Sequence, residues 1–563
     1  MAKQSGDGRG GTSIRASRAP RVVSPRKQDT ATPNVAYMRY ELGQMLPIYQ
    51  LIRDCIAGEF NVKQHDRLWF SGQTTAPFGM SVFSQSDLYG WSTWPYYKYY
   101  LPKPNATDKS IENSQRYRDY IERAVFYAVT RRTLEGFAGA LFLRAPVIEM
   151  PEALDALEKD ATGTGVSLLQ FGKQLTEYVL GYGRAGLLAD YPVTDDVVTL
   201  AQKQAGDVRS NLTVFPPWQC INWRVRQIGG ISKLSLVVIA ETAVVNDDGF
   251  KEDHGEQYRV LYLTPDNKYC VSLWRRVNDK SNTDDTNSGV ANIGELVLHE
   301  ETYPKDANGN YLDHIPFTFV GPVDNGPSVD HAPCADLASI NIAHYRNSAD
   351  FEESVYWTGQ PTPVFTGLTQ EWVEDVLGGS VNLGARSAVL LPINGTAELL
   401  QADTNQLAQE AMKHKEEQML ALGAKLIEER RVQRTATEAG IDDANSQSVL
   451  ASSGANVSQA ILWALRECAA FEGVEYTDDT LKFEINTELD LIKLSPEARK
   501  QLLSEWQAGA ISWTEYRHNL HRSGIAVQSD DEATKEIKEN PPLSAQLELA
   551  AIDKAATNDK VQP

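Results

Sequence analysis

Apolar residues recur at helical spacing in the first third of the chain, alternate in the middle, and return to helical spacing towards the end. Over residues 37–57, Leu42, Leu46, Tyr49 and Ile52 fall on one side, which predicts a helix kinked at Pro47. Gln115 to Phe142 reads as one long amphipathic helix, and Leu154 to Leu180 holds one or two more. From Leu212 to Phe319 the period changes to two. "TVFPPWQCINWRV", "ISKLSLVVIAETAVV", "QYRVLYLT", "YCVSLWRRV", "GELVLHEETY" and "IPFTFVG" are set apart by Asp-, Asn- and Gly-rich turns, which predicts an antiparallel sheet or small barrels. The polar stretch 277–292 reads as a mobile loop.

After Pro333 the helical period returns. "CADLASINIAHYRNSADFEESVYW" contains neither Gly nor Pro and predicts about 36 Å of continuous helix. A compact unit follows, with strand "PTPVFTG", helix "TQEWVEDVLGG" and strands "SAVLLPI" and "AELLQA". Then a second long helix runs from about Asn405 to Glu429. If the two helices are antiparallel, the small unit sits at the far end of a stalk. The second helix ends in "EERRVQRTATEAG", where Thr435-Ala-Thr-Glu438 fits a capping box. Helical chain therefore stops near Arg430–Arg434 and restarts at about Ala436, reaching Cys468–Phe471. The strand "LKFEINTEL" follows, then a helix opened by Ser495-Pro496 and another after "GAIS". The acidic chain from about Val527 reads as disordered, as does the basic tail over residues 1–35.

The stretch Gly181-Tyr-Gly183-Arg-Ala-Gly186 is a literal G-x-G-x-x-G. A dinucleotide turn needs strand, glycines, helix in that order, so that helix amides meet the pyrophosphate. Here the apolar period is helical before the glycines and strand-like after them, so Gly181 and Gly183 are expected to end a helix and turn the chain into a strand.

Charge narrows the function classes. A net charge of −21 over 563 residues argues against a surface that grips nucleic acid and suits one that must not stick to it. The five cysteines lie far apart without a C-x-x-C and read as free, mostly buried thiols of a reducing compartment. No apolar run is long enough to span a membrane, and no secretory signal is expected from residues 1–34. The aromatics of 78–100, including Phe78, Trp91, Trp94 and Tyr100, have only Lys98 as a positive neighbour, which favours a protein-contact surface over base stacking. His518 and His521, at i and i+3, lack a third metal ligand nearby; Asp442-Asp443 and Asp478-Asp479 are adjacent rather than on one face. His344 reads as a packed or inter-subunit residue. No catalyst, cofactor or metal site is expected.

At this point the chain resembles bacteriophage portal proteins, the ring-shaped head-to-tail connectors through which DNA is packaged and ejected, and most closely a subfamily long catalogued as a domain of unknown function. The stretches that carry the resemblance are "YRDYIERAVFYAVTRRTLEGFAGALFLRAPVIEMP", "VLGYGRAGLLADYP", "HIPFTFVG", "DLASINIAHYRNSADFEESVYWTGQPTPVFTG", "RVQRTATEAGIDDANSQSVL" and "LSPEARKQLLSEWQAGAIS", over roughly residues 36–525. Residues 78–100 look like an insertion relative to that family.

The resemblance implies an α+β portal fold. Its wing would cover 36–330, helical first and β-rich from about 212. A first stem helix (331–357), a clip (358–402), a second stem helix (403–429) and a tunnel loop (430–437) would follow. Last would come a channel helix (438–475), a strand returning to the wing (476–494), and crown helices (495–526) before the acidic tail (527–563). It implies a non-enzymatic virion protein at the capsid portal vertex, assembled in the host cytoplasm as a homo-oligomeric ring of twelve. Implied partners are a terminase motor, the major capsid or scaffolding protein, a tail or adaptor protein, and double-stranded DNA passing through without sequence recognition; no membrane is implied. Arg430, Arg431 and Arg434 would face that DNA, whereas on helix physics alone they complement the C-terminal dipole of the preceding helix. Another virion ring or adaptor protein is the main alternative, and a soluble nucleotide-binding enzyme a weaker one.

Overall fold

The structure is a computed structural model that describes residues 34–70, 99–103, 105–191, 209–277, 295–359, 362–377, 389–400, 406–427, 449–487, 496–522, 525–526 and 530–539. Several sequence expectations lie outside those residues: most of both tails and of the aromatic stretch, the polar loop beyond Val277, Arg430, Arg431 and Arg434, and the Thr435–Glu438 capping box.

The chain opens with α1 (Tyr40–Ala57), which contains Pro47, and α2 (Glu59–Phe70). Between them Gly58, at φ 100°, donates its amide to the Asp54 carbonyl at 2.9 Å. The long helix expected over 115–142 is two helices, α3 (Ile111–Arg123) and α4 (Val129–Leu141). Nothing in the intervening Ala-Val-Phe-Tyr-Ala sequence breaks a helix by itself; the break is held from outside, as described below. After β1 (Val147–Glu149) and the short α5 (Asp155–Lys159) comes α6 (Leu168–Tyr182). Ser167 and Gln170 exchange hydrogen bonds in a capping box at its start.

At its end Gly183 takes the left-handed conformation, φ 74°, and β2 (Ala185–Asp190) follows. The order is helix, turn, strand, as the periodicity requires. Gly181, however, lies within α6; only Gly183 ends the helix, because only there does the backbone need a positive φ.

Strands β3 (Asn211–Phe215), β4 (Cys220–Ile228), β5 (Ile231–Asp247), β6 (Glu252–Leu263), β7 (Tyr269–Val277), β8 (Glu295–Thr302) and β9 (Phe317–Val320) form two antiparallel sheets. One has the order β3-β2-β9 and the other is the meander β4-β5-β6-β7-β8. The central β2 is buried along almost its whole length, which matches its uninterrupted apolar sequence. β5 outruns its neighbours. β4 pairs with it no further than Ile239 and β7 pairs with β6 only from Gln257 onwards, so Thr242–Glu256 is a two-stranded arm paired only with itself.

The last third comprises α7 (Ala335–Thr358), β10 (Thr362–Thr366), α8 (Gln370–Asp375), β11 (Thr396–Leu400), α9 (Gln406–Ile427) and α10 (Val449–Glu472). β12 (Lys482–Glu484), α11 (Pro496–Gln507), α12 (Trp513–Arg522) and α13 (Asp530–Glu539) complete it. β12 pairs antiparallel with β1, which brings the end of the chain back to its first half. Two expectations differ. "SAVLLPI" contributes no strand over its described residues, where Pro392 cannot donate to a ladder and the Leu390 carbonyl accepts from Trp372 Nε1 at 3.2 Å. Asp530–Glu539 is helical where disorder was expected; Lys538 in its last turn suits the helix dipole, and Ala533 is buried.

The fold is α+β. One apolar core joins the early helices to the sheets and the late helices, with Leu46, Phe171, Phe319, Tyr345 and Ile461 among its buried members. All five cysteines are free and buried in the structure.

Candidate functional site: the helix pair and its outlying unit

α7 leaves its C-terminal end into β10, β10 pairs antiparallel with β11 from Thr362↔Leu400 to Thr366↔Thr396, and β11 leads back into α9. The end of α7 therefore meets the start of α9. Near the middle of both, His344 Nε2 lies 3.3 Å from Glu416 Oε1. Contact at one end and again midway makes the helices antiparallel. His344 is buried, and burial lowers its pKa while Glu416 opposes the shift; Tyr127 lies beside its ring at 6.0 Å. It is a packed residue between two helices, and its Nδ1 has no partner among the described residues.

The inner half of α7 does more than fill space. Asn341 Oδ1 accepts from the Thr130 amide (3.2 Å) and hydroxyl (2.9 Å), and its Nδ2 donates to the Tyr127 carbonyl (2.7 Å). Ser348 Oγ accepts from the Val125 amide (3.2 Å) and lies 2.7 Å from the Val125 carbonyl. These side chains pair the Val125 and Thr130 amides and the Val125 and Tyr127 carbonyls, backbone groups that a continuous α3–α4 helix would have bonded internally. Asn341 and Ser348 were not singled out from sequence. The signal available was two polar residues on the same face of a helix as Leu337, Ile342 and Tyr345, a position where a polar group must have a partner.

Further out, Asp350 accepts from the Tyr120 hydroxyl at 2.6 Å, and Glu353 receives both Arg116 and Arg123. Arg123 also lies 4.3 Å over the exposed ring of Tyr356. Beyond this bracing the outlying unit has little core. No residue of α8 is buried, every residue of β11 is exposed, and Ile393 and Leu399 are 102% and 68% exposed. A two-stranded sheet is marginal in water, so this unit hangs on the helix pair that carries it.

α10 crosses from the early helices to the sheets. At its start Gly454 lies against Leu141 of α4. Further along, Asn456 Nδ2 donates to the Gly321 carbonyl at 2.8 Å. At its far end Glu472 accepts from the Ser210 amide at 2.9 Å, and Phe471 stacks on Tyr191 with centroids 5.7 Å apart. Glu467 lies 2.9 Å from His314, which also touches Asp313. The Glu467 hydrogen bond raises the His314 pKa to about 9 despite its partial burial.

The glycine turn has no room for a phosphate. A Cβ on Gly183 would stand 2.6 Å from the His331 carbonyl oxygen, because chain packs directly on the turn. Arg184 is buried, lies over the rings of Trp223 and Phe319 at 4.1 and 3.6 Å, and donates to the Pro327 carbonyl at 2.9 Å. Burial lowers its pKa to about 10.

One polar cluster was not foreseen. Asp66, fully buried, accepts from the Tyr100 amide at 2.5 Å and from Leu101, and burial raises its pKa to about 7. Asp54 accepts from the Tyr100 hydroxyl at 2.8 Å. Together they fix the chain where it emerges from the aromatic stretch.

His518 lies on α12, and Asp478 pairs with Arg466 at 2.9 Å. Among the described residues no group of three His, Cys, Asp or Glu side chains could hold a metal ion, and no helix is long and apolar enough to cross a membrane.

The family model described as "Domain of unknown function (DUF4055)" matches residues 333–472, which run from the start of α7 to the end of α10. No curated protein matches the sequence. Similar solved structures include a chain of the "Virion of native gene transfer agent (GTA) particle", 15% identical, with 72% of this chain and 92% of that chain covered and a TM-score of 0.36. A chain of the "Neck of empty GTA particle computed with C6 symmetry" is 15% identical over 70% of this chain and 90% of its own, with a TM-score of 0.36. A chain of the "Neck of native GTA particle computed with C12 symmetry" is 12% identical over 70% and 89%, with a TM-score of 0.34.

Proposed function

We propose that this chain is a non-enzymatic ring subunit of a virion, a portal at the capsid vertex through which double-stranded DNA enters and leaves. The observation that carries the reading is the antiparallel pair α7–α9 with its outlying unit. A stalk braced into a large core presents a small element whose strand β11 is exposed at every position, which is the form of a docking element rather than of a catalytic cleft. The span matched by the family model covers that arrangement and two of the stretches on which the resemblance to portal proteins rests.

In this reading twelve copies close into a ring, the outlying unit meets the terminase motor and later a tail or adaptor protein, and the early part of the chain faces capsid or scaffolding protein. With −21 on each copy, the ring repels the duplex, so DNA slides instead of binding. Arg430, Arg431 and Arg434, repeated around the channel, supply transient phosphate contacts without reading sequence. Electron micrographs and particle mass of the purified protein test the proposal. It requires rings with an axial channel, near twelve times 62.4 kDa; a monomer at micromolar concentration would sink it.

A further inference from the structure

The arm Thr242–Glu256 is tied to the sheet at its base, where Glu256 accepts from Arg276 Nε at 2.7 Å; beyond that base, from Thr242 to His254, all but Ala243 are exposed. Its apolar residues are outermost, with Val245 60% and Phe250 103% exposed. Around them stand four exposed acids, Asp247, Asp248, Glu252 and Asp253, against Lys251 and His254. Asp248 accepts the amides of Phe250 and Lys251 at 2.8 and 2.7 Å, which fixes the turn that presents the phenyl ring. An apolar tip within an acidic collar asks for a shallow apolar seat with a basic rim.

The outer face of α4 has that form. Arg132, Gly136 and Gly139 follow one another at helical spacing, the exposed Leu143 lies just past the helix end, and a Cβ on either glycine would meet open space. Exposed Arg131 and Arg132 stand at one end and exposed Tyr127 beside them; the only acid in α4 is Glu135. Glycine is a poor helix residue, so two on an exposed face favour close approach by another chain.

Position supports a contact between copies. The base of the arm is tied, through Glu241, Arg259, Asp190 and Tyr191, to Phe471 at the end of α10. α4 meets Gly454, near the other end of that helix and about 25 Å away, through its buried Leu141, which leaves the Gly136–Gly139 face outward. The two surfaces differ and belong to elements held near opposite ends of α10, as suits a head-to-tail contact between copies.

We infer that the arm of one copy docks on the α4 face of the next, with Phe250 on Gly136 and Gly139 and the acids against Arg131 and Arg132. This rests on the ring reading above. The test pairs Phe250→Cys with Gly139→Cys in the full chain, whose native cysteines are all buried. Mild oxidation should give a ladder of covalent multimers from the double variant and from neither single one. Separately, Glu252→Lys with Asp253→Lys should lower the assembled fraction at least tenfold by mass photometry, and adding Arg131→Glu with Arg132→Glu should restore it. Rings that form without a ladder and ignore the charge reversal would overturn the arm contact and leave the ring reading standing. A wild-type chain that never leaves the monomer would overturn both.

Discussion

Asn341 holds Thr130 twice, accepting from its amide at 3.2 Å and from its hydroxyl at 2.9 Å, across 211 residues of sequence. Through this contact α7 decides where α4 begins. Asn341→Leu would leave the buried Thr130 amide and hydroxyl unpaired, at about 1–3 kcal/mol for each, while the Tyr127 carbonyl keeps the Val129 amide at 2.7 Å. The expected loss is at least 2 kcal/mol by urea unfolding. Equal stability of Asn341→Leu and wild type would show that the break in the helix does not depend on α7.

Gly183→Ala should harm folding or assembly, since it places a Cβ 2.6 Å from the His331 carbonyl at a φ of 74°. The conformation alone costs about 1–2 kcal/mol for an L-residue. Gly181→Ala, within α6 and 3.5 Å from Leu134, should be neutral or slightly stabilising. Thermal melts of the two variants check the contrast. Nucleotide affinity should be absent in the wild type and so unchanged in either; specific NAD or ATP binding that Gly183→Ala abolishes would overturn this account of the turn.

The His314–Glu467 contact predicts a pH dependence with a definite sign. The folded pKa of His314 is raised from 6.5 to about 9, so the protonated form is the one stabilised. That contribution is complete below about pH 6.5 and fades as pH rises through about 9. Melting temperatures of wild type and His314→Gln should therefore differ most near pH 6 and converge by pH 10. A constant difference across that range would remove the ion pair from the account.

Replacing 358–402 by a short turn should leave the α7–α9 pairing intact, because the pair is braced by His344–Glu416 and by α3 rather than by the outlying unit. Rings should form and yet fail to join a terminase or tail adaptor in pull-down. Loss of the rings themselves would place the unit in subunit assembly instead.

Changing Arg430, Arg431 and Arg434 together to glutamine should give normal rings with impaired DNA packaging or retention. The defect should be largest at low salt, where phosphate contacts are least screened. Unchanged DNA handling would return the three arginines to helix capping, a stabilising effect of about 0.3–1 kcal/mol.

By itself the sequence determined the elements whose period is strong and whose ends carry their own chemistry. The helix Ala335–Thr358 is legible because no Gly or Pro interrupts it, the strands from Asn211 to Val320 because apolar alternation and turn residues agree, and the turn at Gly183 because helix precedes strand there. The pairing of two long helices through a small unit was likewise written in the order of the segments. Tertiary structure alone decided what depends on partners distant in the chain. The break at Ala124–Ala128 exists because Asn341 and Ser348 supply hydrogen bonds that no local residue can. The reach of β5 beyond its sheet depends on where β4 and β7 stop pairing, and alternation of side chains says nothing of how many neighbours a strand has. Asp66 is held because burial brings it to the amides of Tyr100 and Leu101, 34 and 35 residues away. Local pattern fixes which face a residue shows; only packing fixes what meets that face.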